Sequence, residues 1–315
     1  MKELKVAVVG ATGLVGEYVL KLLQERDFPV AELKLYASAQ SKGKKLPWKK
    51  KKIKVEDAEN ILSFAPDLAF FATSPDISKQ YIPSLTEKGT FVIDKSRAFR
   101  LMKNVPLVIP EINSHLLNKN TRLVASPNCT TIQLVMTIAP ILKLSGITKL
   151  VATTMQSISG AGREVLNSFQ SGKSEPDITP AIGKVEDLGY CEEEISIYNE
   201  TRKIFQRLTR MAVTTVRVPV PYAHSISIWV KTLREINING LESSYENFPG
   251  IVYLKKELPT CQLAAGRDEI FVGRLRHDHL DPRALLLFST CDNLRKGAAT
   301  NAVQIAEVAI SKGLL

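Results

Sequence analysis

Long apolar runs are missing from this 315-residue chain. No stretch approaches the roughly 18–20 uninterrupted apolar residues that a membrane span requires, which argues against a helical membrane protein. Cysteine is scarce and scattered: Cys129, Cys191, Cys261 and Cys291 form no CxxC pair and have no histidine at metal-ligand spacing. A disulfide framework and a zinc site are therefore not expected, and the natural reading is a reduced, cytoplasmic protein without metal. A signal peptide is not expected either, because the apolar run Val6–Val9 of MKELKVAVVG ends in Gly10 and reads as a first strand. Histidine is limited to His115, His224, His277 and His279, so acid/base chemistry near neutral pH has few candidates.

Apolar content of 44% and charged content of 23% are ordinary for a globular protein, and the length suggests two domains. The net charge of +10 is local. Eight lysines (Lys42, Lys44, Lys45, Lys49, Lys50, Lys51, Lys52 and Lys54) share one segment, and +10 less those eight leaves +2 for the rest. Only Trp48 interrupts them as an aromatic, and no nucleic-acid-binding motif surrounds them. The segment reads as a solvated loop or an edge strand guarded by charge. Nucleic-acid binding and help with an anionic cofactor are the rival readings.

The first third alternates buried-type strands (Lys5–Val9, Glu32–Ala37, Leu68–Ala72, Phe91–Asp94 and Arg122–Ala125) with helices at Leu14–Leu23 and Ile77–Leu85. Continuous apolar strands in a βαβ rhythm imply a parallel, doubly wound α/β sheet. Near residue 127 the pattern changes. A helix starts at about Cys129 and contains Pro140, where a kink is expected. Longer strands follow at Lys149–Ser157, Met211–Pro219, Ser225–Thr232, Asp268–Val272 and Ala284–Ser289, which suggests an α+β domain. Helices are expected at Gly162–Gln170 and Glu192–Phe205, a loop at Ser171–Gly189, and an amphipathic helix at Asn293–Ile310 that packs back on the first domain. The expected division is 1–127, completed by 293–315, and 128–292.

Between the first strand and helix stands Gly10-Ala11-Thr12-Gly13-Leu14-Val15-Gly16. Glycines there permit a tight turn and close approach of a pyrophosphate to the helix N-terminus. The second strand ends in Tyr36-Ala37-Ser38-Ala39-Gln40-Ser41-Lys42 and lacks the acid that holds a ribose 2′-hydroxyl in NAD sites. Hydroxyls, an amide and lysines suit a 2′-phosphate instead, which favours NADP.

The sharpest local feature is Ser126-Pro127-Asn128-Cys129-Thr130-Thr131, a strand running into a helix with cysteine in its first turn. That position favours a thiolate, and Asn128 can cap the helix or offer its amide to an oxyanion. A buried structural cysteine is the competing reading. Of the four histidines, His224 is best placed, with Arg217 before it across a proline-rich bend.

The chain resembles the aspartate-semialdehyde dehydrogenase family along essentially its whole length. The matches are GATGLVG, ASAQSKGK, AFR ending at Arg100, PLVIPEIN, SPNCTTIQ, QSISGAGR, NETRKI, RVPV…HS and DNLRKGAATNAVQIAE. The resemblance implies a Rossmann-like NADP-binding domain and an α+β catalytic and dimerisation domain of the glyceraldehyde-3-phosphate-dehydrogenase-like type. It implies NADPH-dependent reduction of L-aspartyl 4-phosphate to L-aspartate 4-semialdehyde, feeding lysine (diaminopimelate), threonine and methionine biosynthesis, in a homodimer or homotetramer with no nucleic-acid or membrane partner. Under it Cys129 is the acyl-thioester nucleophile, His224 the general acid/base, and Gln156 orients the thioester. Arg217 takes the substrate carboxylate and Glu200 its ammonium, while Arg100 and Lys203 hold the phosphate. Gly10, Thr12, Gly13, Leu14, Val15, Ser38, Gln40, Ser41, Ser159, Gly160 and Asn293 line the cofactor. Glu200 and Lys203, three apart, also fit a surface ion pair. The family often has arginine at the place of Gln40, so the NADP preference is expected to be modest. An N-acetyl-glutamyl-phosphate reductase, a non-catalytic relative and a nucleic-acid-binding protein are the alternatives.

Overall fold

The computed structural model describes residues 3–206 and 210–315. The chain forms two compact units, Met1–Pro127 with Ala298–Leu315, and Asn128–Gly297.

The first unit holds seven strands: β1 (Leu4–Val9), β2 (Val30–Ala37), β3 (Lys45–Trp48), β4 (Lys51–Asp57), β5 (Leu68–Phe71), β6 (Phe91–Asp94) and β7 (Leu123–Ala125). They lie in the order β3-β4-β2-β1-β5-β6-β7, with all pairs parallel except β3 with β4. Every residue of β5 and β6 is buried, which accounts for their apolar sequence up to Asp94, the buried carboxylate that ends β6. β1 lies between β2 and β5, so the strand order reverses beside it, and the glycine loop leaves from that switch point. The backbone N–H groups of Gly10 and Ala11 donate to the Tyr36 carbonyl, tying the loop to the end of β2.

The lysine segment forms the β3–β4 hairpin at the sheet edge. Alternation puts exposed Lys45, Pro47, Lys52 and Lys54 on one face, while Leu46, Trp48 and Ile53 pack on the core. The lysines thus guard an exposed edge while the same strands contribute apolar side chains to the interior.

The C-terminal segment is less regular and more buried than a single-stripe amphipathic helix. A π-helical turn, Arg295–Ala299, precedes the α-helix Thr300–Ser311. Thr300, Asn301, Ala302, Val303, Ile305 and Ala306 are all buried there. Asn301 donates its amide to the Val108 carbonyl and the Ser126 hydroxyl, and Arg26 makes a two-pronged ion pair with Glu307. No helix among the described residues is long and apolar enough to cross a membrane.

The second unit contains β8 (Ile147–Gln156), β9 (Met211–Arg217), β10 (His224–Thr232), β11 (Ile251–Leu254), β12 (Ile270–His277) and β13 (Ala284–Cys291). The sheet order is β11-β12-β13-β10-β8-β9, mixed in direction because β11–β12 and β8–β9 are parallel pairs and the others antiparallel. The helix Cys129–Ser145 runs on through Pro140 and packs on one face, against β8, β10, β12 and β13. The other face stays open along β8 and β10, with Val151, Thr153 and Ser227 exposed. β11 and the helix Ile238–Glu246 are elements beyond those expected from the sequence, and the side chain of Asn237 caps that helix. Ser171–Gly189 contains no helix or strand. Gln156 ends β8, Arg217 ends β9 in register with it, and His224 begins the antiparallel β10, so three candidate residues share one edge of the sheet.

Candidate active site

Cys129 owes its position to the residue before it. Asn128 is the N-cap of the helix Cys129–Ser145, its side-chain oxygen accepting from the N–H groups of Thr130 at 2.8 Å and Thr131 at 3.3 Å. The thiol therefore sits in the first turn, at the positive end of the helix dipole. Its hydrogen-bonding neighbours include His224, with Nε2 3.5 Å from Sγ.

His224 is fully buried, and its Nδ1 accepts the Ser157 backbone N–H at 3.0 Å. A nitrogen that accepts from a backbone N–H carries no hydrogen of its own, so the neutral ring bears its proton on Nε2, facing the thiol. Burial first, and the Arg217 charge second, push the histidine pKa down to about 3. An unfolded chain takes up that proton near pH 6.5, roughly the model-peptide value. Acidification therefore favours the unfolded state first, and stability is lost as pH falls from about 6.5 towards 3, with none of this loss above that range. In urea melts the stability advantage of wild type over His224→Gln is expected to shrink steadily as pH falls through this window. A pH-independent difference would mean that the folded ring titrates normally.

Arg217 completes one side. Its NH1 donates to the Ser157 carbonyl at 2.6 Å, and burial lowers its pKa while Cys129 and Glu193 support its charge. A Cβ at Gly160 would lie 2.8 Å from Arg217 NH1 and 3.1 Å from His224 Cε1, so only glycine lets this loop approach both side chains. Gln156, 2% exposed, donates its amide to Glu193 at 3.0 Å. The same carboxylate accepts from the Asn128 amide, both oxygens at 3.0 Å.

In the other unit, Gly10 has φ +80°, and a Cβ there would lie 2.1 Å from the Ala72 carbonyl oxygen. The loop is thus packed as closely as a pyrophosphate-binding turn requires, and Gly13 is the N-cap of the helix that Leu14 and Val15 open. Thr12 donates its hydroxyl to Ser41 at 3.2 Å, and Lys44 Nζ is 3.5 Å from the same Ser41 oxygen. Ser38 and Gln40 belong to this turn, as the N-cap and a member of the short helix Ala39–Ser41.

The semialdehyde dehydrogenase NAD-binding domain matches residues 5–120, and the semialdehyde dehydrogenase dimerisation domain matches residues 138–296. An aspartate-semialdehyde dehydrogenase of Aquifex aeolicus is 40% identical over 99% of both chains. The crystal structure of aspartate semialdehyde dehydrogenase II from Vibrio cholerae superposes with a TM-score of 0.94 at 36% identity, covering 98% of this chain and 99% of that one. The chain belongs to the aspartate-semialdehyde dehydrogenase family. A Vibrio cholerae structure of the same enzyme described as complexed with ASA has a TM-score of 0.94 at 35% identity, covering 99% of each chain. These relatives do not favour the N-acetyl-glutamyl-phosphate reductase alternative.

Within this member of the aspartate-semialdehyde dehydrogenase family, the second unit brings together Cys129, His224, Gln156, Arg217 and Asn128. Several of these side chains already have partners within the protein. The Asn128 side chain caps the helix with its oxygen and donates its amide to Glu193. Glu200, expected at the substrate ammonium, is 1% exposed and accepts from the Asn128 backbone N–H at 2.7 Å and the Ser196 hydroxyl at 2.7 Å. Its burial on the inner side of its helix sets it against the cysteine turn, so it is no exposed member of a surface ion pair. Asn293 and Ser159, expected at the cofactor, are buried and bonded to each other. The Asn293 side-chain oxygen accepts from Ser157, Ser159 and the Ala223 N–H, fastening the loop behind His224. Lys203 is half-buried, and burial lowers its pKa against the opposing effect of Glu200. Arg100 is buried in the first unit, with NH2 donating to the Lys95 carbonyl. Ser157 and Glu193 are further polar residues of this site, and Lys44 is one of the cofactor turn. Ser157 lies inside the Gln-Ser-Ile-Ser-Gly motif, whereas Glu193 looks like ordinary acidic helix-start chemistry.

Proposed function

We propose that the chain is an NADP-dependent aspartate-semialdehyde dehydrogenase that reduces L-aspartyl 4-phosphate through a thioester on Cys129. The observation that carries this reading is the thiol in the first helical turn, 3.5 Å from the His224 Nε2–H group. The Cys129 thiolate attacks the acyl carbon, the bond to the phosphate oxygen breaks, and a thioester forms. Arg217 holds the substrate carboxylate, Gln156 orients the acyl group, and Arg100 and Lys203 take the phosphate. The nicotinamide, when bound, supplies the hydride. Reduction of the thioester carbonyl leaves an oxyanion on the carbon attached to Sγ, and the Nε2–H of His224 is the donor that suits it. Collapse to the aldehyde returns the thiolate without net proton transfer. A neutral hydrogen-bond donor therefore satisfies the reduction, and His224 need not shuttle a proton at that step.

The glycine turn at Gly10 and the hydroxyl and ammonium groups of Thr12, Ser41 and Lys44 fit a dinucleotide with a 2′-phosphate. Steady-state assays with aspartate semialdehyde, phosphate and either cofactor test the whole reading. NADP is expected to win in kcat/KM and in Kd measured by calorimetry. Lys44→Ala is expected to narrow the Kd preference by roughly tenfold, the worth of a charge-assisted contact. An NAD preference in wild type would overturn the assignment of this turn.

The dimerisation domain and the open face along β8 and β10 support a homodimer, and a tetramer of two such dimers is compatible with them. A cytoplasmic location accords with four free cysteines. The lysine hairpin needs no nucleic acid to account for it, because edge protection suffices.

A further inference from the structure

What fixes the spacing of Cys129 and His224 matters on the reading that this pair carries the chemistry. The helix Cys129–Ser145 presents the thiol, and Gln133 stands four residues further along it, so the two side chains share a face. Both meet the same residue. The Sγ of Cys129 lies 3.5 Å from His224 Nε2, while the Gln133 side-chain amide donates to the His224 carbonyl at 3.3 Å. That amide also donates to the carbonyl and the hydroxyl of Ser289, each at 3.1 Å. Ser289 lies on β13 opposite Ile226 of β10, and His224 lies opposite Cys291. The helix is therefore pinned to both strands at the place where the imidazole leaves the sheet.

Stability alone does not account for an amide here. Gln133 is 1% exposed, and its helix neighbours Ile132, Leu134, Val135 and Met136 are buried and apolar. Its side-chain oxygen has no hydrogen-bond partner among the described residues. A buried carbonyl left unmatched carries a desolvation cost that an apolar side chain of similar volume does not. The donor end is what such a side chain could not supply.

We infer that Gln133 is a positioning residue for the reaction, holding the main chain of His224 against the cysteine helix and so setting the separation of thiol and imidazole. The Ser157 N–H on Nδ1 fixes the orientation of the ring, and Gln133 fixes the strand that carries it. Without the amide the ring keeps its orientation, but strand and helix can shift against each other. A displacement of about 1 Å between reacting groups costs on the order of 100-fold in rate.

The decisive variant is Gln133→Met, which keeps the length and apolar bulk of the side chain and loses the donor. Its kcat for phosphate-dependent oxidation of aspartate semialdehyde is expected to fall roughly 10–100-fold, with the KM values for semialdehyde, phosphate and NADP within about twofold of wild type. The pH profile of Cys129 alkylation by iodoacetamide, followed by peptide mass, reads the thiol directly. A weakened Nε2–H contact is expected to move its midpoint up by at least about half a unit. In a His224→Gln background, Gln133→Met is expected to change the alkylation rate at neutral pH by less than about twofold, because its effect runs through His224. Gln133→Asn keeps an amide on a shorter stem and is expected to fall between wild type and Gln133→Met. It also takes the place of Gln133→Met if circular dichroism shows that methionine is not accommodated. Equal losses with and without His224, a loss spread over the three KM values, or an unchanged kcat and alkylation profile would each overturn the inference. If wild type does not oxidise aspartate semialdehyde, the functional reading fails by itself, and the alkylation measurements, which need no substrate, decide the role of Gln133.

Discussion

Cys129→Ala is expected to lower phosphate-dependent oxidation of aspartate semialdehyde by at least roughly 10⁴-fold, with the fold kept. Removal of a covalent nucleophile costs on that order, because the residual route must proceed without the thioester. No other thiol can substitute. Cys191 is buried at the N-cap of the helix Glu192–Phe205, with its sulfur 3.1 Å from the Thr215 hydroxyl. Cys261 lies 3.1 Å from the Ser225 hydroxyl, and burial pushes its pKa up. Cys291 is fully buried, and burial raises its thiol pKa well above the ordinary range. Cys129→Ser is the stricter variant, since it keeps a nucleophilic atom of similar shape but one that does not ionise at neutral pH. Each is expected to show an unchanged circular dichroism spectrum, while Ala at Cys191, Cys261 or Cys291 leaves turnover within severalfold of wild type. Retention of more than about 1% of kcat by Cys129→Ala would exclude a covalent route.

The second large effect is expected at Arg217. Arg217→Lys keeps the charge and loses the planar fork, and with it the 2.6 Å bond to the Ser157 carbonyl. A charge-assisted contact in a water-poor site is worth about 1.5–3 kcal/mol, which is roughly 10–150-fold in kcat/KM. Carboxylate binding persists from ground state to transition state, so the loss should fall on KM more than on kcat. Aspartate semialdehyde and succinate semialdehyde both carry the carboxylate and are expected to suffer alike. Propanal, which has none, should suffer least. If propanal loses as much as the others, Arg217 acts by bracing the Ser157 loop, and through it His224, and does not read the substrate.

The glycine loop, the parallel strands and the cysteine after Pro127-Asn128 could be read from the chain because each is a local matter. A turn that needs φ +80° at Gly10 selects glycine at that position. Strands buried on both faces need unbroken apolar runs. A helix start needs a cap such as Asn128. The same locality explains what the chain alone does not display. The lysine tract shows its charge in sequence, but the alternation that sends Leu46, Trp48 and Ile53 into the core appears only once β3 pairs with β4. The C-terminal helix was read as one-sided, because an alanine-rich helix with neighbours on several sides has no distinctive stripe.

By itself, the sequence determined which residues could do chemistry here: one cysteine at a helix start, one histidine after an arginine, and a dinucleotide turn. Only the tertiary structure decided their states. How the helix Glu192–Phe205 is rotated against the cysteine turn decides the glutamates' partners, Asn128 for Glu200 and Gln156 for Glu193. His224 is held neutral, with its proton on Nε2, by a backbone N–H from a residue 67 positions earlier and by burial. Hydrogen-bond geometry and desolvation arise between segments far apart in the chain, so no local pattern of residues encodes them.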